Sequence, residues 1–289
     1  MIKRTTIVLL CLLCLVTAGL AAAEKAPQRP LGFIEIWNNI GYFDTNVEKK
    51  GFASILGRLE TKAGINLFNQ PLQVYGAYYG TASQTEDYYN NSLLSGIGIR
   101  YRPLERYQGK GWQLEWIKDL KIYYEALNSS YFKNAASAES AGLNTSDIRY
   151  GLEVWHEWNL DGINPSYTWG ELWGNLSFRS TNFSVTDFNS YILYLQPKIG
   201  WHLPSDVQSY VKADLTYSGQ SDYYLNTLVY GGGLRFQPWR TMGKPGDLMQ
   251  KFKMFVELLG VSYLKGDPPL AINKVGTDLR FGIDLSYGR

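Results

Sequence analysis

The sequence is poor in the residues on which much metal and redox chemistry depends. Its 289 residues include two cysteines, Cys11 and Cys14, and two histidines, His156 and His202. Both cysteines lie in an N-terminal apolar segment that we expect to be removed, so the mature chain would have no disulfide and no thiolate metal site. Two separated histidines do not provide a metal site either, and we expect no metal or cofactor.

The chain also has little net charge and few long hydrophobic runs. The formal net charge is +2, and loss of Lys3 and Arg4 with the N-terminal segment would leave equal numbers of basic and acidic residues. This balance gives no electrostatic reason to expect a nucleic-acid partner. Beyond residue 20, no apolar run is long enough for a transmembrane helix, and no stretch has the sustained 3.6-residue periodicity of a long amphipathic helix.

The N-terminus is typical of an export signal. Lys3 and Arg4 precede the apolar run 5–20, and the small residues 21–23 follow it. A membrane anchor is the alternative, but the run is short for a membrane span and ends in small residues. We therefore predict a cleaved signal peptide at 1–23 and a single domain at 24–289.

What the chain does have is alternation of apolar and polar residues. In the last such stretch, 278–287, Leu279, Phe281 and Ile283 fall on one face, whereas Asp278 and Arg280 fall on the other. Aromatic residues make up 15% of the chain, and there are 29 glycines. A soluble β protein is the alternative, but these features behind an export signal favour an all-β transmembrane antiparallel up-and-down β-barrel in the bacterial outer membrane. We count about twelve strands, at 32–43, 52–68, 71–81, 91–103, 113–127, 146–158, 168–181, 188–202, 206–218, 226–239, 250–265 and 277–287.

The charged residues of each predicted strand share one face, which we expect to line the lumen. An Arg or Lys facing lipid at mid-membrane would cost about 2–4 kcal/mol. Two interpretations stay open: a cross-braced interior that fills a narrow barrel, or a polar pore for a hydrophilic substrate. The predicted lumen-lining residues are Arg58, Glu60, Lys62, Arg100, Arg102, Lys198, Lys212, Asp214, Arg235, Glu257, Arg280 and Asp284.

An even number of strands places both chain ends on the periplasmic side. The segment 128–145 is then predicted to be the longest connection and to face outward, and the last strand must pair with the first, near 33–42, to close the barrel. Aromatic residues near strand ends are expected to form interfacial girdles, with sugar-stacking platforms as the alternative for some of them. They include Trp37, Trp158, Trp169 and Trp201.

One strand pattern occurs twice. The segment 96–103, Gly-Ile-Gly-Ile-Arg-Tyr-Arg-Pro, parallels 231–238, Gly-Gly-Gly-Leu-Arg-Phe-Gln-Pro. Each is followed by a strand with Lys and Glu on its inner face, Lys121 and Glu125 in one case and Lys253 and Glu257 in the other. An internal duplication would explain this similarity, and chance similarity of two short strands is the alternative.

The segments 191–200, 210–214 and 230–236, together with 96–101, resemble the C-terminal barrel domain of bacteriophage adsorption protein A. That family is similar to the outer-membrane pores of exopolysaccharide secretion, so the resemblance implies a passive conduit or surface receptor, with polysaccharide as the substrate. In those proteins a long periplasmic array of helical repeats precedes the barrel. Here the barrel is predicted from near Leu31 onward, so the resemblance implies a separate periplasmic repeat protein as partner.

The last strand also resembles the signal that barrel-assembly machinery reads, with Arg280, Gly282, Leu285 and Tyr287 as its residues. Such chains usually stop at the aromatic residue, whereas this one continues through Gly288 and Arg289. We therefore expect the assembly machinery and the lipids of the outer membrane as partners.

Two other functions are compatible with a barrel. A plugged barrel could attach phage or surface ligands through its outer loops, notably 128–145. A lipid-modifying enzyme would pair His202 with Ser205 or Asp206, because nucleophilic hydrolysis needs a base within reach of a hydroxyl. The His-x-Ser-Asn-Gly pattern of outer-membrane phospholipases is absent, and we expect the chain not to be an enzyme.

Overall fold

The computed structural model describes residues 30–45, 52–67, 71–105, 116–143, 146–159, 167–183, 187–239, 248–268 and 276–288. The predicted signal peptide at 1–23, both cysteines and the predicted mature start at Glu24 lie outside these residues. No helix within the described ranges is long and apolar enough to cross a bilayer.

The alternating segments form twelve strands that close into one antiparallel barrel. Strands adjacent in sequence pair with each other, and the last strand pairs with the first. The predicted fold class and the predicted closure are confirmed. The strands are β1 (Gly32–Thr45), β2 (Phe52–Leu67), β3 (Leu72–Ser83), β4 (Ser92–Tyr101), β5 (Lys121–Tyr131), β6 (Ser146–Trp158), β7 (Thr168–Thr181), β8 (Phe188–His202), β9 (Val207–Ser218), β10 (Thr227–Phe236), β11 (Phe252–Tyr263) and β12 (Gly276–Tyr287).

The seam between β1 and β12 depends on a close approach of two backbones. Gly41 lies directly opposite Gly282 in the register of this pair. A Cβ atom at position 282 would overlap the backbone of Ile40 and Gly41. Glycine at position 282 therefore permits the strand contact that closes the barrel.

The two faces of the barrel differ sharply in polarity. On the outward-facing positions of the twelve described strands, Asp44 at the end of β1 is the only Asp, Glu, Lys or Arg. Outward Ile97 and Leu258 are 70% and 65% exposed, whereas inward Glu125 and Lys253 are 1% and 2% exposed. A soluble protein has the opposite arrangement, so the apolar outer face is a lipid-facing surface and the barrel spans a membrane.

The barrel has two rims, which we call the terminal rim, where β1 begins and β12 ends, and the loop rim at the other end. The prediction that 128–145 is the longest connection is wrong. The strand β5 runs from Lys121 to Tyr131, later than the predicted 113–127, so residues 128–131 are strand. The connection 102–120 at the terminal rim is longer, and it contains a 3-10 helix at Trp116–Asp119. Alternating apolar and polar residues at the end of this connection mimic the start of a strand.

Between β5 and β6, the loop rim carries the short helix α1 (Ala135–Ser140). Three further 3-10 helices lie in connections, at Tyr88–Asn90, Tyr223–Leu225 and Leu248–Lys251. The first two occupy matching places, between β3 and β4 and between β9 and β10.

The barrel consists of two six-strand halves, β1–β6 and β7–β12, that repeat the same registers. Gln73 lies opposite Arg100 in the first half, and Gln208 lies opposite Arg235 at the matching place in the second. Likewise, Glu35 lies opposite Lys62, and Glu171 opposite Lys198. The similarity first seen between 96–103 and 231–238 thus extends over all twelve strands.

The repetition includes a loop built around a buried asparagine. The side-chain oxygen of Asn91 accepts a hydrogen bond from the backbone N–H of Ser83 at 2.9 Å, and that of Asn226 accepts one from Ser218 at 2.9 Å. Each side-chain amide also donates to two carbonyls of its own loop, those of Thr85 and Asp87 in the first half and those of Gln220 and Asp222 in the second. Equivalent positions of the two halves can therefore be compared residue by residue.

Candidate functional site in the lumen

Each half holds an arginine in the lumen near the terminal rim, and the first is Arg100 on β4. Its Nη1 and Nη2 donate to the carboxylate of Glu35 at 2.7 and 2.6 Å, and its Nε donates to the side-chain carbonyl of Gln73. The guanidinium lies 4.7 Å from the ring centroid of Phe33 and 5.3 Å from that of Tyr75. Bidentate pairing and ring stacking together hold a planar cation rigidly, so Arg100 acts as a brace.

The second arginine, Arg235 on β10, has equivalent partners with one difference. Its Nε donates to Gln208 and its Nη1 to Glu171, both at 2.8 Å, while the guanidinium lies over the rings of Trp169 (4.3 Å) and Tyr210 (5.6 Å). Among the described residues, its Nη2 has no hydrogen-bond partner. Arg235 therefore makes one hydrogen bond to its glutamate, whereas Arg100 makes two.

Glu171 pairs with Arg235 only once because other cations share its carboxylate. Lys198 lies 3.4 Å from its Oε2, and Lys253 lies 3.5 Å from its Oε1. One buried carboxylate thus meets three cations, and Asp284 lies opposite Lys253 in the register of β11 and β12.

The equivalent region of the first half is balanced differently. Lys121 lies 3.7 Å from Glu35 and 3.3 Å from Glu153, so the cation there has two carboxylates. Lys62 lies 3.5 Å from Glu60, 3.7 Å from Glu125 and 3.2 Å from Glu153. Each of these two lysines therefore has two or more carboxylates within 4 Å.

A tyrosine lies over a glycine in each half and donates a hydrogen bond to a buried glutamate. Tyr75 donates to Glu125 at 2.9 Å, and Tyr210 donates to Glu257 at 2.7 Å. A Cβ atom at the glycine beneath each ring, Gly98 or Gly233, would overlap the tyrosine. The inward glycines of the repeated pattern therefore make room for these rings.

The halves differ at several inward positions, and at three of them the first half is filled. Tyr79 donates to Glu125 at 2.7 Å, and the hydroxyl of Tyr123 is hydrogen-bonded to Asn175 at 2.9 and 3.1 Å. Beside them, Ala77 is completely buried. By the matching registers, the equivalents of Ala77, Tyr79 and Tyr123 in the second half are Lys212, Asp214 and Phe255.

The lumen is open on the second-half side. A cavity of about 380 Å³ lies there, and none of the described residues of β3, β4 or β5 lines it. Its charged lining consists of the cations Arg58, Lys198, Lys212, Arg235, Lys253 and Arg280 and the carboxylates Glu60, Glu171, Asp214, Glu257 and Asp284. The cross-braced interior therefore describes the first half, which is filled, and the polar pore describes the second half, which holds a polar cavity.

Aromatic side chains form two opposite parts of the cavity wall. We call Trp155, Trp173 and Tyr194 the aromatic run, because they lie on the neighbouring strands β6, β7 and β8. Trp155 lies opposite Trp173 in the register, and the rings of Trp173 and Tyr194 stack with centroids 5.9 Å apart at 29°. Trp37 on β1, the first-half equivalent of Trp173, also lines the cavity.

The interfacial girdle is found only in part at the predicted tryptophans. Trp158 and Trp201 are on outward positions and are 41% and 46% exposed. Trp37 and Trp169 are on inward positions instead, and Trp169 is fully buried beneath Arg235. Their distance from the strand ends suggests interfacial depth. The alternation of side chains along each strand, however, places theirs inside the barrel.

A proline interrupts the ladder beside the cavity. The pairing of β8 with β9 omits Gln196 and Pro197, because proline has no backbone N–H to donate. At the equivalent place in the first half, Thr61 pairs normally with Tyr78.

The predicted lumen-lining residues are distributed over both halves. Lys62 and Arg100 lie in the filled half, each nearly fully buried. Nine others line the cavity: Arg58, Glu60, Lys198, Lys212, Asp214, Arg235, Glu257, Arg280 and Asp284. Arg102 lies beyond the end of β4, in the connection at the terminal rim, where it pairs with Glu105 at 2.7 Å. Burial, followed by the charge of neighbouring Arg100, lowers the pKa of Arg102.

Sequence reasoning missed Glu35, Glu171, Gln73 and Gln208, which hold the two arginines. The repeat contained a usable signal, since Phe33 precedes Glu35 by two positions just as Trp169 precedes Glu171. Each of the two glutamates lies several strands away from its arginine, so the contact itself is not visible in the sequence.

The residues predicted as an assembly signal have structural contacts of their own. Arg280 pairs with Asp278 and lies 4.0 Å from Asp214, and Gly282 permits the seam. Leu285 and Tyr287 are on the outward face of β12, opposite Asn38 and Ile36 of β1.

Both histidines are near the terminal rim and have defined neighbours. His156 is on an outward position, with Nδ1 3.0 Å from the carboxylate of Asp119. His202 Nε2 lies 2.7 Å from the carbonyl of Asn159, and its Nδ1 lies 3.2 Å from the Gln208 amide. A neutral ring that donates from Nε2 and accepts at Nδ1 satisfies both contacts. Ser205 and Asp206 have φ of 62° and 59°, which two successive residues of a tight hairpin turn adopt.

Comparison with known proteins gives similarity of fold but no specific family. No family model matches the chain, and no curated protein is significantly similar to it. Among solved structures, the KdgM porin in complex with disordered oligogalacturonate is 12% identical, with 88% of this chain and 99% of that chain covered and a TM-score of 0.38. The β domain of the Bordetella autotransporter BrkA is 11% identical, covering 90% and 100%, with a TM-score of 0.38. An outer membrane channel from Pseudomonas putida F1 is 9% identical, covering 91% and 98%, with a TM-score of 0.37.

These likenesses are too distant to carry an argument about function. The lipid-facing outer surface, the polar lumen and the closed antiparallel sheet identify the chain as a bacterial outer-membrane β-barrel with twelve strands. The resemblance to the barrel domain of bacteriophage adsorption protein A stays a prediction.

Proposed function

We propose that this barrel is a passive conduit for a hydrophilic solute across the outer membrane. The observation that carries the proposal is the unequal filling of the lumen. Tyrosines occupy the interior beside β3–β5, whereas a polar cavity of about 380 Å³ occupies the second-half side. A barrel that needed only a braced interior would gain from filling both sides, because close packing is the more stable arrangement.

Secreted polysaccharide is the proposed substrate class, and two features support it. The segments at 191–200 and 230–236 resemble the barrel domain of bacteriophage adsorption protein A, a family similar to the pores of exopolysaccharide secretion. Aromatic rings of the kind that stack on sugars line the cavity. In this role the chain would act with a separate periplasmic repeat protein. Arg102 and Glu105, paired at the terminal rim, are at the end of the lumen where such a partner would dock.

Conductance of the purified, refolded barrel in a planar lipid bilayer tests the conduit. Stepwise single-channel currents are expected, with weak ion selectivity because the lining carries both signs of charge. Heat-modifiable mobility on a gel would verify that each preparation contains the closed barrel. An intact barrel that carries no current would contradict the proposal.

A second candidate function is attachment of phage or another surface ligand at the loop rim, favoured by the order of the β5–β6 connection. In that connection, Ala138 is fully buried, and Lys133 donates to the carbonyls of Ser83 and Thr85 at 3.1 and 3.2 Å. A connection fixed to the neighbouring loop is a preformed surface. Deletion of 134–142 should abolish ligand attachment and leave conductance intact; attachment that survives the deletion would exclude this loop.

We also propose that the chain has no catalytic activity. The hydrogen-bond contacts of His202 with Asn159 and Gln208 support this, since they use both ring nitrogens. Assay of phospholipid and lipopolysaccharide hydrolysis with wild type and with the double variant His156→Ala, His202→Ala tests the point. Activity present in wild type and lost in the double variant would overturn it.

A further inference from the structure

The place where the two halves differ most is the best indication of a specific site. Braces, buried asparagines and glycine–tyrosine contacts recur in both halves, so their role is the support of the barrel. Lys212, Asp214 and Phe255 depart from their first-half equivalents Ala77 and two tyrosines, and all three line the cavity. The departure at Asp214 replaces a filling tyrosine with a carboxylate, and that at Lys212 adds an ammonium group where the first half has a methyl group.

Two features of this space lie next to each other on β7 and β8. The aromatic run of Trp155, Trp173 and Tyr194 is followed toward the terminal rim by Gln196, which lies opposite Trp173, and then by Lys198, which lies opposite Glu171. Flat rings thus adjoin an amide and an ammonium group along one inward face.

The group beside the rings includes cations that share one carboxylate. Glu171 is paired with Arg235 at 2.8 Å, Lys198 at 3.4 Å and Lys253 at 3.5 Å. The cavity lining carries six cations and five carboxylates, and the Lys198 side chain is 19% exposed, so its ammonium group can reach an anion in the cavity.

From this geometry we propose that the cavity binds an acidic saccharide, with a sugar ring stacked on the aromatic run and its carboxylate paired with Lys198. The inference rests on the proposed conduit function and deepens it by naming the substrate class. An aromatic face binds the apolar face of a sugar ring, the Gln196 amide can bond to a hydroxyl, and the exposed part of Lys198 can pair with a carboxylate. A neutral sugar would use the rings and the amide but would make no ion pair with Lys198.

Calorimetric titration of the refolded barrel in detergent micelles tests the inference without depending on conductance. The probes are a mannuronate tetrasaccharide and the neutral mannotetraose, which differ in charge but not in length. The acidic probe is expected to bind more tightly. Lys198→Met should weaken its binding by about tenfold, the value of one charge-assisted hydrogen bond, and leave mannotetraose unchanged.

A second variant, which is expected to tighten binding rather than weaken it, guards the test against misfolding. Glu60 lines the cavity and its side chain is 22% exposed, so its carboxylate opposes an anion there. Glu60→Gln should therefore tighten binding of the acidic probe, whereas Lys133→Met, which removes a charge at the loop rim, should not change it. Equal affinity for the two probes, or no effect of either lumen variant in a correctly folded barrel, would overturn the inference. If wild type conducts ions but binds neither probe, the saccharide site is wrong and the conduit stands.

Discussion

Replacement of Glu171 should be the most damaging single change to the charged lumen. Glu171 is 3% exposed and contacts Arg235, Lys198 and Lys253 at 2.8, 3.4 and 3.5 Å. Glutamine keeps the size and one acceptor but removes the charge, so three buried cations lose the carboxylate that they share. Removal of one partner of a buried ion pair costs about 3–5 kcal/mol, and we expect Glu171→Gln to lower the free energy of unfolding by that amount.

The equivalent change in the first half should cost less. Glu35→Gln also removes a carboxylate that binds an arginine, but Lys121 keeps Glu153 at 3.3 Å. Fewer cations are left unpaired, so the loss should be smaller than for Glu171. Glu60→Gln is the exposed control. Lys62 keeps Glu125 and Glu153 after that change, and the expected loss is below about 1 kcal/mol.

Urea unfolding in phospholipid vesicles, followed by tryptophan fluorescence, measures these differences. The double variant Glu171→Gln, Lys253→Met should recover part of the loss, because it removes one of the uncompensated cations. A Glu171→Gln barrel within about 1 kcal/mol of wild type, or one more stable than Glu35→Gln, would refute the reasoning.

Three further changes test the repeated contacts and the seam. Asn91→Ala and Asn226→Ala should lower stability equally in urea titrations, by about 2 kcal/mol each, because each removes a matching set of buried hydrogen bonds. Gly233→Leu should displace the tyrosine ring above it and cost about 1–3 kcal/mol, whereas Gly260→Leu, whose Cβ would lie 3.7 Å from its nearest neighbour, should be tolerated. Gly282→Leu should abolish the folded, heat-modifiable band on a gel, since the seam cannot accept a side chain there; a normal band would contradict that account.

Much of the fold could be predicted from the sequence because each strand residue of a barrel faces either lipid or lumen. Alternation assigns each residue to lipid or lumen, and the high cost of charge in lipid sets the register of a strand such as β2. Closure of β12 on β1 follows from the same physics, because an unpaired edge is not stable in hydrocarbon.

The exceptions have local causes. The sequence pattern places the start of β5 too early because alternation continues into the turn at Trp116–Asp119. Arg102 lies in the connection rather than in a strand, because the strand predicted at 91–103 extends beyond Tyr101, where β4 ends. Trp37 and Trp169 are predicted in the girdle from their position along the strand, although the alternation of side chains alone places both inside the barrel.

The unequal lumen could not be predicted from the sequence. Tyr79 and Asp214 are equivalent in register, yet only the packing of each half reveals that one fills space and the other borders a cavity. The contacts of Arg100 with Glu35, and of Arg235 with Glu171, join strands far apart in the chain. Strand patterns carry no information about such pairs.

The most direct test of the unequal lumen is the single-channel conductance of a barrel in which three second-half positions copy the first half. The triple variant Lys212→Ala, Asp214→Tyr, Phe255→Tyr places the first-half side chains at the equivalent positions. The tyrosine hydroxyl introduced at position 214 is expected to bond Glu257 as Tyr79 bonds Glu125. Wild type should conduct, and the triple variant should fold but carry little or no current. Equal currents through both barrels, or a folded wild type that carries none, would contradict the account.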